Sequence, residues 1–279
     1  MFLLIKVAYI ATEEYSGFQW QPNVPTIEGA LRKALIKSEI GLKDPSALLE
    51  YSGRTDRGVH AHDQAIKIET TFPMVPNRPL QRINAFLPET VVTWAYCEVG
   101  KDFSPRRDAN WRMYSYYFID EDIDSLDFEK MRKGSDQLIG KHNFQNFAKM
   151  NPDTEDYERE VISIEMKRLE EEIGILFLVK GVSFLWQMVR RVLGHLVDLG
   201  TGNVSDSETG LLLTSRNVRK PQPLPPGGLI LEEVKYQNLE WNFDKSINMK
   251  FMNRLDDRIN TRIQEKNVLT RLRDLHAVF

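Results

Sequence analysis

The chain reads Gly53-Arg54-Thr55-Asp56-Arg57-Gly58-Val59-His60-Ala61 at residues 53–61, which places an acid beside arginines and between two glycines. The runs 47–52 and 64–69 on either side have strand-like composition, so a tight loop between two strands is predicted. An Asp in such a loop usually bonds its own backbone. Nearby arginines also favour an ionised carboxylate, and arginine is well suited to binding phosphate. The loop therefore fits either an ordinary turn or an enzyme that acts on a nucleotide.

Length and composition are those of a globular protein. The 279 residues, 42% hydrophobic and 28% charged, are enough for one large domain or two modest ones. Cys97 is the only cysteine, which excludes an intramolecular disulfide and a Cys-rich zinc site. No apolar run approaches the ~20 residues of a membrane span, and the apolar start is too short for a signal peptide. A cytoplasmic location without membrane attachment is expected.

The charge is acidic overall but unevenly placed. The net charge of −3 argues weakly against nucleic-acid binding, because proteins that bind nucleic acids are normally basic. Bases nevertheless cluster at Arg106-Arg107 and at Arg190-Arg191. Such clusters are usually solvated surface charges, but an acidic protein can still present one basic face.

Periodicity predicts a mixture of strands and helices. The predicted strands cover residues 2–12, 47–52, 64–69, 91–99, 112–119, 161–168, 174–180 and 229–236. The predicted helices cover 80–86, 128–139, 185–199 and 205–213, with a further helix capped by Thr26 and with Ser205 capping the last. Because strict βαβ alternation is missing, an antiparallel α+β fold is favoured over a parallel doubly wound sheet.

The end of the chain has a different pattern. Apolar residues and arginines both recur there at four-residue spacing: Phe251, Leu255, Ile259 and Ile263, with Arg254, Arg258 and Arg262. This pattern predicts an amphipathic helix or helix pair. Packing against the body of the protein or a dimer partner is favoured over contact with RNA.

Several segments together resemble the tRNA pseudouridine synthases of the TruA type in order and spacing. Beside the loop at 53–61, the segments that carry the resemblance are Phe18-Gln19-Trp20-Gln21-Pro22, Thr26-Ile27-Glu28, Asn84-Ala85-Phe86-Leu87-Pro88, Asp102-Phe103-Ser104-Pro105-Arg106, Arg112-Met113-Tyr114-Ser115-Tyr116, Phe184-Leu185 with Met188-Val189-Arg190, and Gly228-Leu229-Ile230-Leu231. The match extends over about residues 5–236.

The resemblance implies a fold of two ferredoxin-like (RRM-like) α/β halves, joined into one mostly antiparallel sheet with a central cleft. The first half would be residues 1–104, with the signature Asp loop, and the second half residues 105–236. Residues 237–279 lie outside the resemblance and are predicted to form a helical C-terminal extension. Members of the family act as homodimers on the anticodon arm of tRNA, so tRNA and a second copy are the expected partners.

The resemblance also implies the chemistry: isomerisation of uridine to pseudouridine in the anticodon stem-loop, at positions 38–40 of the tRNA, through Asp56. The Asp56 carboxylate would add to the ribose C1′ or assist formation of a glycal, and the sequence does not choose between these routes. The reaction has no net redox change or group transfer, so no cofactor or metal is expected.

The other implied roles belong to binding and positioning. Arg190 would pair with Asp56 and keep it ionised. Arg54 would fill the space left by the flipped base and contact phosphate. Tyr114 would stack on the base, and Leu229 or Leu231 would close the pocket.

Some positions depart from the family pattern, and two other functions stay open. Ser104 stands where the family often has His, and Arg57 replaces a small residue. A non-catalytic RNA-binding module would gain nothing from a carboxylate near phosphate. A carboxylate-dependent hydrolase of nucleosides or RNA would need a second positioned acid, which the motifs do not provide. His60 and His62 could face one side of a strand, but they lack the further ligands of a metal site.

Overall fold

The protein is described here by a computed structural model that covers residues 1–41, 49–70, 78–120, 122–152, 154–169, 174–215 and 219–276. Its strands are β1 Phe2–Tyr9, β2 Glu50–Tyr51, β3 His60–Glu69, β4 Val91–Val99, β5 Trp111–Ile119, β6 Gly140–Asn143, β7 Glu158–Arg168, β8 Gly174–Gly181, β9 Leu229–Lys235 and β10 Asn242–Phe243. Its α-helices are α1 Ile27–Lys37, α2 Pro79–Asn84, α3 Phe128–Leu138, α4 Met188–Gly200, α5 Glu208–Thr214 and α6 Lys245–His276.

One sheet contains all of these strands, in the order β10-β4-β1-β3-β9-β5-β8-β7-β6, with β2 paired to β3. The pair β3–β9 is parallel, through His60 with Ile230 and Ala61 with Leu231, and the other pairs are antiparallel. This mixed, mostly antiparallel sheet confirms the predicted α+β fold. The parallel contact lies at the start of β3, directly after the loop 53–58, so this loop lies at the centre of the sheet.

Apolar faces of the helices cover the sheet. Thr26 caps α1 as predicted, with its side chain accepting a hydrogen bond from the Gly29 amide, and Leu31 and Leu35 are fully buried. Burying each leucine stabilises the fold by roughly 1.5–3 kcal/mol. In the second half, α3 packs on the C-terminal part of α4, where Gly134 lies close to Leu199.

Buried polar groups join the two halves at the β3–β9 contact. Lys6 Nζ lies 2.5 Å from Asp63 Oδ1 and donates to the Val234 carbonyl at 2.8 Å, while Asp63 Oδ2 accepts from the Val234 amide at 2.9 Å. Burial lowers the pKa of Lys6 and raises that of Asp63, and their mutual attraction opposes both shifts. Arg112 of β5 also reaches across, donating to the Ser52 carbonyl at 2.9 Å. The two halves are therefore held together next to the loop.

Several predicted boundaries differ from the structure. Helix α4 begins at Met188 rather than residue 185, because Gln187 has a left-handed backbone (φ 63°). Helix α5 begins at Glu208, and Ser205 bonds the Ser207 hydroxyl instead of capping a helix. The predicted strand 47–52 is β2, although residues 47–48 lie outside the described ranges. Strands β6 and β10 were not predicted.

The C-terminal extension contains β10 and the single helix α6. Helix α6 has 32 residues, which corresponds to about 48 Å at 1.5 Å per residue. Ile247 is buried against the body, but every described residue from 256 onward is exposed. The predicted helical extension is confirmed as one helix rather than a helix pair. From residue 256 onward its described part does not pack on the body, and packing on a dimer partner stays a prediction. In the ranges that the structure covers, no helix combines the length and the apolar character needed to cross a bilayer.

Helix α4 and the proline-rich segment 221–228 approach each other at Gly194. A Cβ atom on Gly194 would lie 2.1 Å from the Gln222 carbonyl oxygen, which is backbone and cannot move aside easily. The Leu224 amide also donates to the Arg190 carbonyl at 3.1 Å. A residue without a side chain is therefore required where the segment crosses the helix.

The replacement Gly194→Ala is expected to lower the free energy of unfolding by about 2–4 kcal/mol, because backbone must move in a packed interior. Gly210→Ala in α5 is the matched control, since the nearest atom to its Cβ is Gln137 Oε1 at 4.0 Å. That control should raise stability by up to ~1 kcal/mol through helix propensity. Urea unfolding followed by circular dichroism measures both, and equal effects of the two variants would contradict this close contact.

Candidate active site

Buried groups fix the position of the loop that carries Asp56. Thr55 is buried, and its hydroxyl is 2.7 Å from that of Tyr9, at the end of β1. The Thr55 carbonyl accepts from the Phe18 amide at 3.1 Å. Gly58 has φ +82°, a left-handed value suited to glycine, and the chain then enters β3. These contacts fix the backbone of Asp56 relative to the first half.

The segment 13–17 packs directly against this loop. Gly17 has φ +98°, and a Cβ there would lie 3.1 Å from the Thr55 carbonyl oxygen. Arg57 donates from Nη2 to the Glu13 carbonyl at 3.1 Å. The unusual arginine after Asp56 therefore ties the loop to its neighbouring segment.

The Asp56 carboxylate is bonded on both oxygens by donors from the second half. Arg190 Nη2 lies 2.7 Å from Asp56 Oδ2, and Trp186 Nε1 donates to Asp56 Oδ1 at 2.8 Å. The Arg190 side chain is 8% exposed and that of Asp56 is 26% exposed. Charged partners make strong hydrogen bonds, so both donors stabilise the ionised carboxylate. The acid remains accessible while its cation is almost fully buried.

Arg190 is positioned by the first turn of α4 and by the segment 221–228. Its Nη1 donates to the Leu224 carbonyl at 3.0 Å, and the neighbouring Arg191 donates to the Pro221 carbonyl at 2.6 Å. With two of its nitrogens bonded to fixed acceptors, the guanidinium has little rotational freedom. Its orientation toward Asp56 therefore depends on the close contact at Gly194.

Three of the predicted binding residues meet on adjacent strands. Tyr114 of β5 pairs with Leu231 of β9, and Tyr116 pairs with Leu229. Directly paired residues lie on one face of a sheet, so Tyr114, Leu229 and Leu231 share a face. All three are buried, and Phe184 meets the Tyr114 ring edge-on at 5.3 Å between centroids.

The Tyr114 hydroxyl is neutral at physiological pH. Burial raises the pKa of Tyr114 to about 12, with the Arg112 cation opposing the shift and the Asp56 carboxylate adding to it. The influence of Asp56 places the tyrosine in the electrostatic neighbourhood of the loop. Tyr114 can therefore offer an uncharged aromatic ring near the acid.

Arg54 lies apart from this cluster. It is exposed, and its guanidinium has no hydrogen-bond partner within the ranges that the structure covers. An arginine with this freedom can bind an anion from solution.

Trp186 is a site residue that the sequence interpretation missed. Its indole is 45% exposed, Lys149 Nζ lies 4.1 Å above the ring, and the Lys149 amide donates to the Trp186 carbonyl at 2.9 Å. The available signal was the short separation in sequence, because Trp186 lies four residues before Arg190. A large exposed aromatic beside a predicted site arginine is a reason to expect a contact.

The two histidines after the loop make separate contacts. His60 Nδ1 accepts from the Ala11 amide at 3.1 Å, while His62 stacks on Trp94 at 5.0 Å. Burial lowers the pKa of His60, and the Arg258 cation of α6 lowers it further, against a hydrogen bond with Gly227. Among the residues with described positions, no three His, Cys, Asp or Glu side chains are grouped as ligands of a metal ion.

Comparison with known proteins gives matches over nearly the whole chain. A family model described as tRNA pseudouridine synthase matches residues 135–237. The tRNA pseudouridine synthase A of Archaeoglobus fulgidus is 36% identical over 255 residues, covering 91% of each chain. That of Methanosarcina acetivorans is 39% identical, covering 86% of this chain and 87% of its own.

A solved structure, that of a Cbf5-Nop10-Gar1 complex, aligns with 70% of this chain and 54% of that chain at 11% identity. Its TM-score of 0.32 is too low to support a conclusion. The sequence relatives, by contrast, confirm the resemblance predicted from the motifs. With 36% identity over 91% of both chains, this chain belongs to the tRNA pseudouridine synthase A family.

Proposed function

We propose that this chain isomerises uridine to pseudouridine in the anticodon stem-loop of tRNA, at positions 38–40, with Asp56 as the residue that reacts at the ribose. The observation that carries the proposal is the Asp56 carboxylate, which is accessible at 26% while Arg190 and Trp186 bond its two oxygens. Membership of the family supports the reaction and the class of RNA.

The proposed reaction breaks one bond, forms another and conserves all atoms. The N1–C1′ bond of uridine breaks, the uracil rotates, and C5 bonds to C1′. The proton on C5 is then lost, and N1 of the rotated base gains one. Asp56 acts either as the nucleophile at C1′, which later leaves, or as the base that removes and returns the C2′ proton. Both routes require an ionised carboxylate, which Arg190 and Trp186 stabilise.

The neighbouring residues suit a base that has left its stack. A uridine inside RNA must be flipped out before an enzyme can reach its C1′. Tyr114, with Phe184 edge-on beside it, supplies an aromatic face, and Leu229 or Leu231 supplies an apolar wall. Arg54 is exposed and has no hydrogen-bond partner among the described residues, which supports its role at the phosphate and in the space vacated by the base.

The proposed assembly is a homodimer in which one tRNA contacts both copies. In this arrangement basic groups from two protomers line one groove, which supports RNA binding by a chain with net charge −3.

Asp56→Asn should reduce pseudouridine formation by at least about 10⁴-fold, because the amide can neither attack C1′ nor accept a proton. The dissociation constant for tRNA should change by less than about threefold, since only one side-chain atom differs. The control is Asp206→Asn, an exposed acid between α4 and α5, which should keep full activity. Single-turnover product analysis of digested tRNA measures this, and turnover by Asp56→Asn near the wild-type rate would contradict the assignment.

Trp186→Phe should lower the maximal single-turnover rate by about 10- to 100-fold. This factor corresponds to the free energy that one hydrogen bond to a charged group contributes. Trp186→His keeps an N–H donor and should recover part of that loss, with KM changed little in both variants. Equal losses in the two variants would show that the ring packing of Trp186, rather than its bond to Asp56, supports the reaction.

A further inference from the structure

Helix α6 carries a strong positive charge in an otherwise acidic chain. It contains eight lysines and arginines against four aspartates and glutamates, whereas the whole chain has a net charge of −3. Its exposed position from residue 256 onward leaves these charges in solvent. The catalytic proposal does not use any of them.

Five of these bases lie at four-residue spacing and form what we call the basic ridge: Lys250, Arg254, Arg258, Arg262 and Lys266. Residues four apart are neighbours on a helix surface, about 6 Å apart along its axis. All five are exposed. Arg262 pairs with Glu265 at 2.6 Å, and no other ridge residue has an ion-pair partner among the described residues. The ridge is therefore a nearly continuous line of uncompensated positive charge.

The ridge passes close to the candidate active site at Arg254 and Arg258. Arg254 Nη1 approaches the Glu89 carbonyl at 3.5 Å, just before β4. The next ridge residue, Arg258, is close enough to His60 to lower the pKa of the imidazole in addition to burial. His60 lies four residues after Asp56, at the start of β3. From Arg258 the helix continues to His276, about 27 Å at 1.5 Å per residue.

We propose that the basic ridge of α6 binds the phosphodiester backbone of the tRNA whose uridine is presented to Asp56. This inference rests on the proposed function and adds to it a binding element outside the two halves. Charge complementarity selects the partner, because a polyanion neutralises a line of unpaired cations. The position of the ridge favours the tRNA over other polyanions, because Arg254 lies at Glu89 and Arg258 lies near His60. An RNA whose uridine reaches Asp56 would come close to both.

A second copy of the chain is the competing occupant of α6. Exposed apolar side chains follow the basic ridge along the helix: Ile259, Ile263, Val268, Leu269, Leu272 and Leu275. Pairing two copies of α6 through these residues would bring two positively charged helices together, which costs electrostatic free energy. Binding of RNA instead places anionic charge against the ridge, so the charge favours RNA.

The test is the triple variant Arg254→Gln/Arg258→Gln/Arg262→Gln in the full chain, with tRNA binding measured between 50 mM and 300 mM KCl. Each phosphate contact contributes about 0.7–0.9 to the slope of log K against log salt, so the slope should fall by about 2–3. At 0.15 M salt the dissociation constant should rise on the order of 50-fold. The saturating single-turnover rate should stay at the wild-type value, because the ridge contacts no reacting atom.

The matched control is Lys130→Gln/Arg132→Gln/Lys133→Gln on α3, which removes the same charge from one half-buried and two exposed positions. Helix α3 packs on the C-terminal half of α4, away from Arg190. Removing its three charges should therefore leave the slope of log K against log salt unchanged. A ridge variant with the slope and affinity of this control overturns the inference. A ridge variant with unchanged slope but altered sedimentation also overturns it, in favour of pairing between copies.

Failure of the proposed function would give different results from failure of the ridge inference. Wild-type protein that binds tRNA with a ridge-dependent salt slope, yet forms no pseudouridine, would refute the reaction and leave the ridge as an RNA-binding element. Wild-type protein that forms pseudouridine, with a ridge variant indistinguishable from the α3 control, would refute the ridge alone.

Discussion

The candidate site depends on one ion pair, between Asp56 of the first half and Arg190 of the second, which lie 134 residues apart in the chain. A cation that is only 8% exposed would be costly without an anion, and Asp56 supplies that anion. The pair forms only if both halves keep their relative position. Stability and chemistry are therefore linked at this point, because a shift of either half separates the charges.

The sheet and its buried polar groups keep the two halves in place. The parallel contact of β3 with β9 begins at His60, and the Lys6–Asp63 pair bonds the backbone of β9 at Val234 a few residues further along. From the other side, the segment 221–228 crosses α4 at Gly194 and bonds Arg190. The ion pair thus lies between two fixed connections, and Trp186 adds a second donor to the carboxylate.

Local patterns in the sequence predict the elements that carry strong periodicity. The long strands β1, β4 and β5 and the helix α3 lie within a few residues of their predicted ranges, because alternation or an apolar face extends over many positions. Helix α1 begins directly after its predicted cap, Thr26. The four-residue strand β6 and the two-residue strand β10 are too short to show alternation. The start of α4 depends on the left-handed backbone of Gln187, which residue type alone does not indicate.

The same difference between local patterns and long-range contacts applies to the site. Asp56, Arg190 and Tyr114 could be named from motifs, but their distances depend on how the halves meet, which involves contacts between residues far apart in sequence. Trp186 was missed because its role depends on the position of Asp56 across the cleft. The exposure of α6 could not be predicted either, since an amphipathic pattern indicates a face to be covered without identifying what covers it.

The most direct test of the central claim is a crystal structure of the Asp56→Asn protein bound to a tRNA anticodon stem-loop. We expect the target uridine to lie out of its stack, with its base against Tyr114 and its C1′ within about 3.5 Å of the side chain at position 56. A flipped uridine whose C1′ lies far from the side chain at position 56 would contradict this placement.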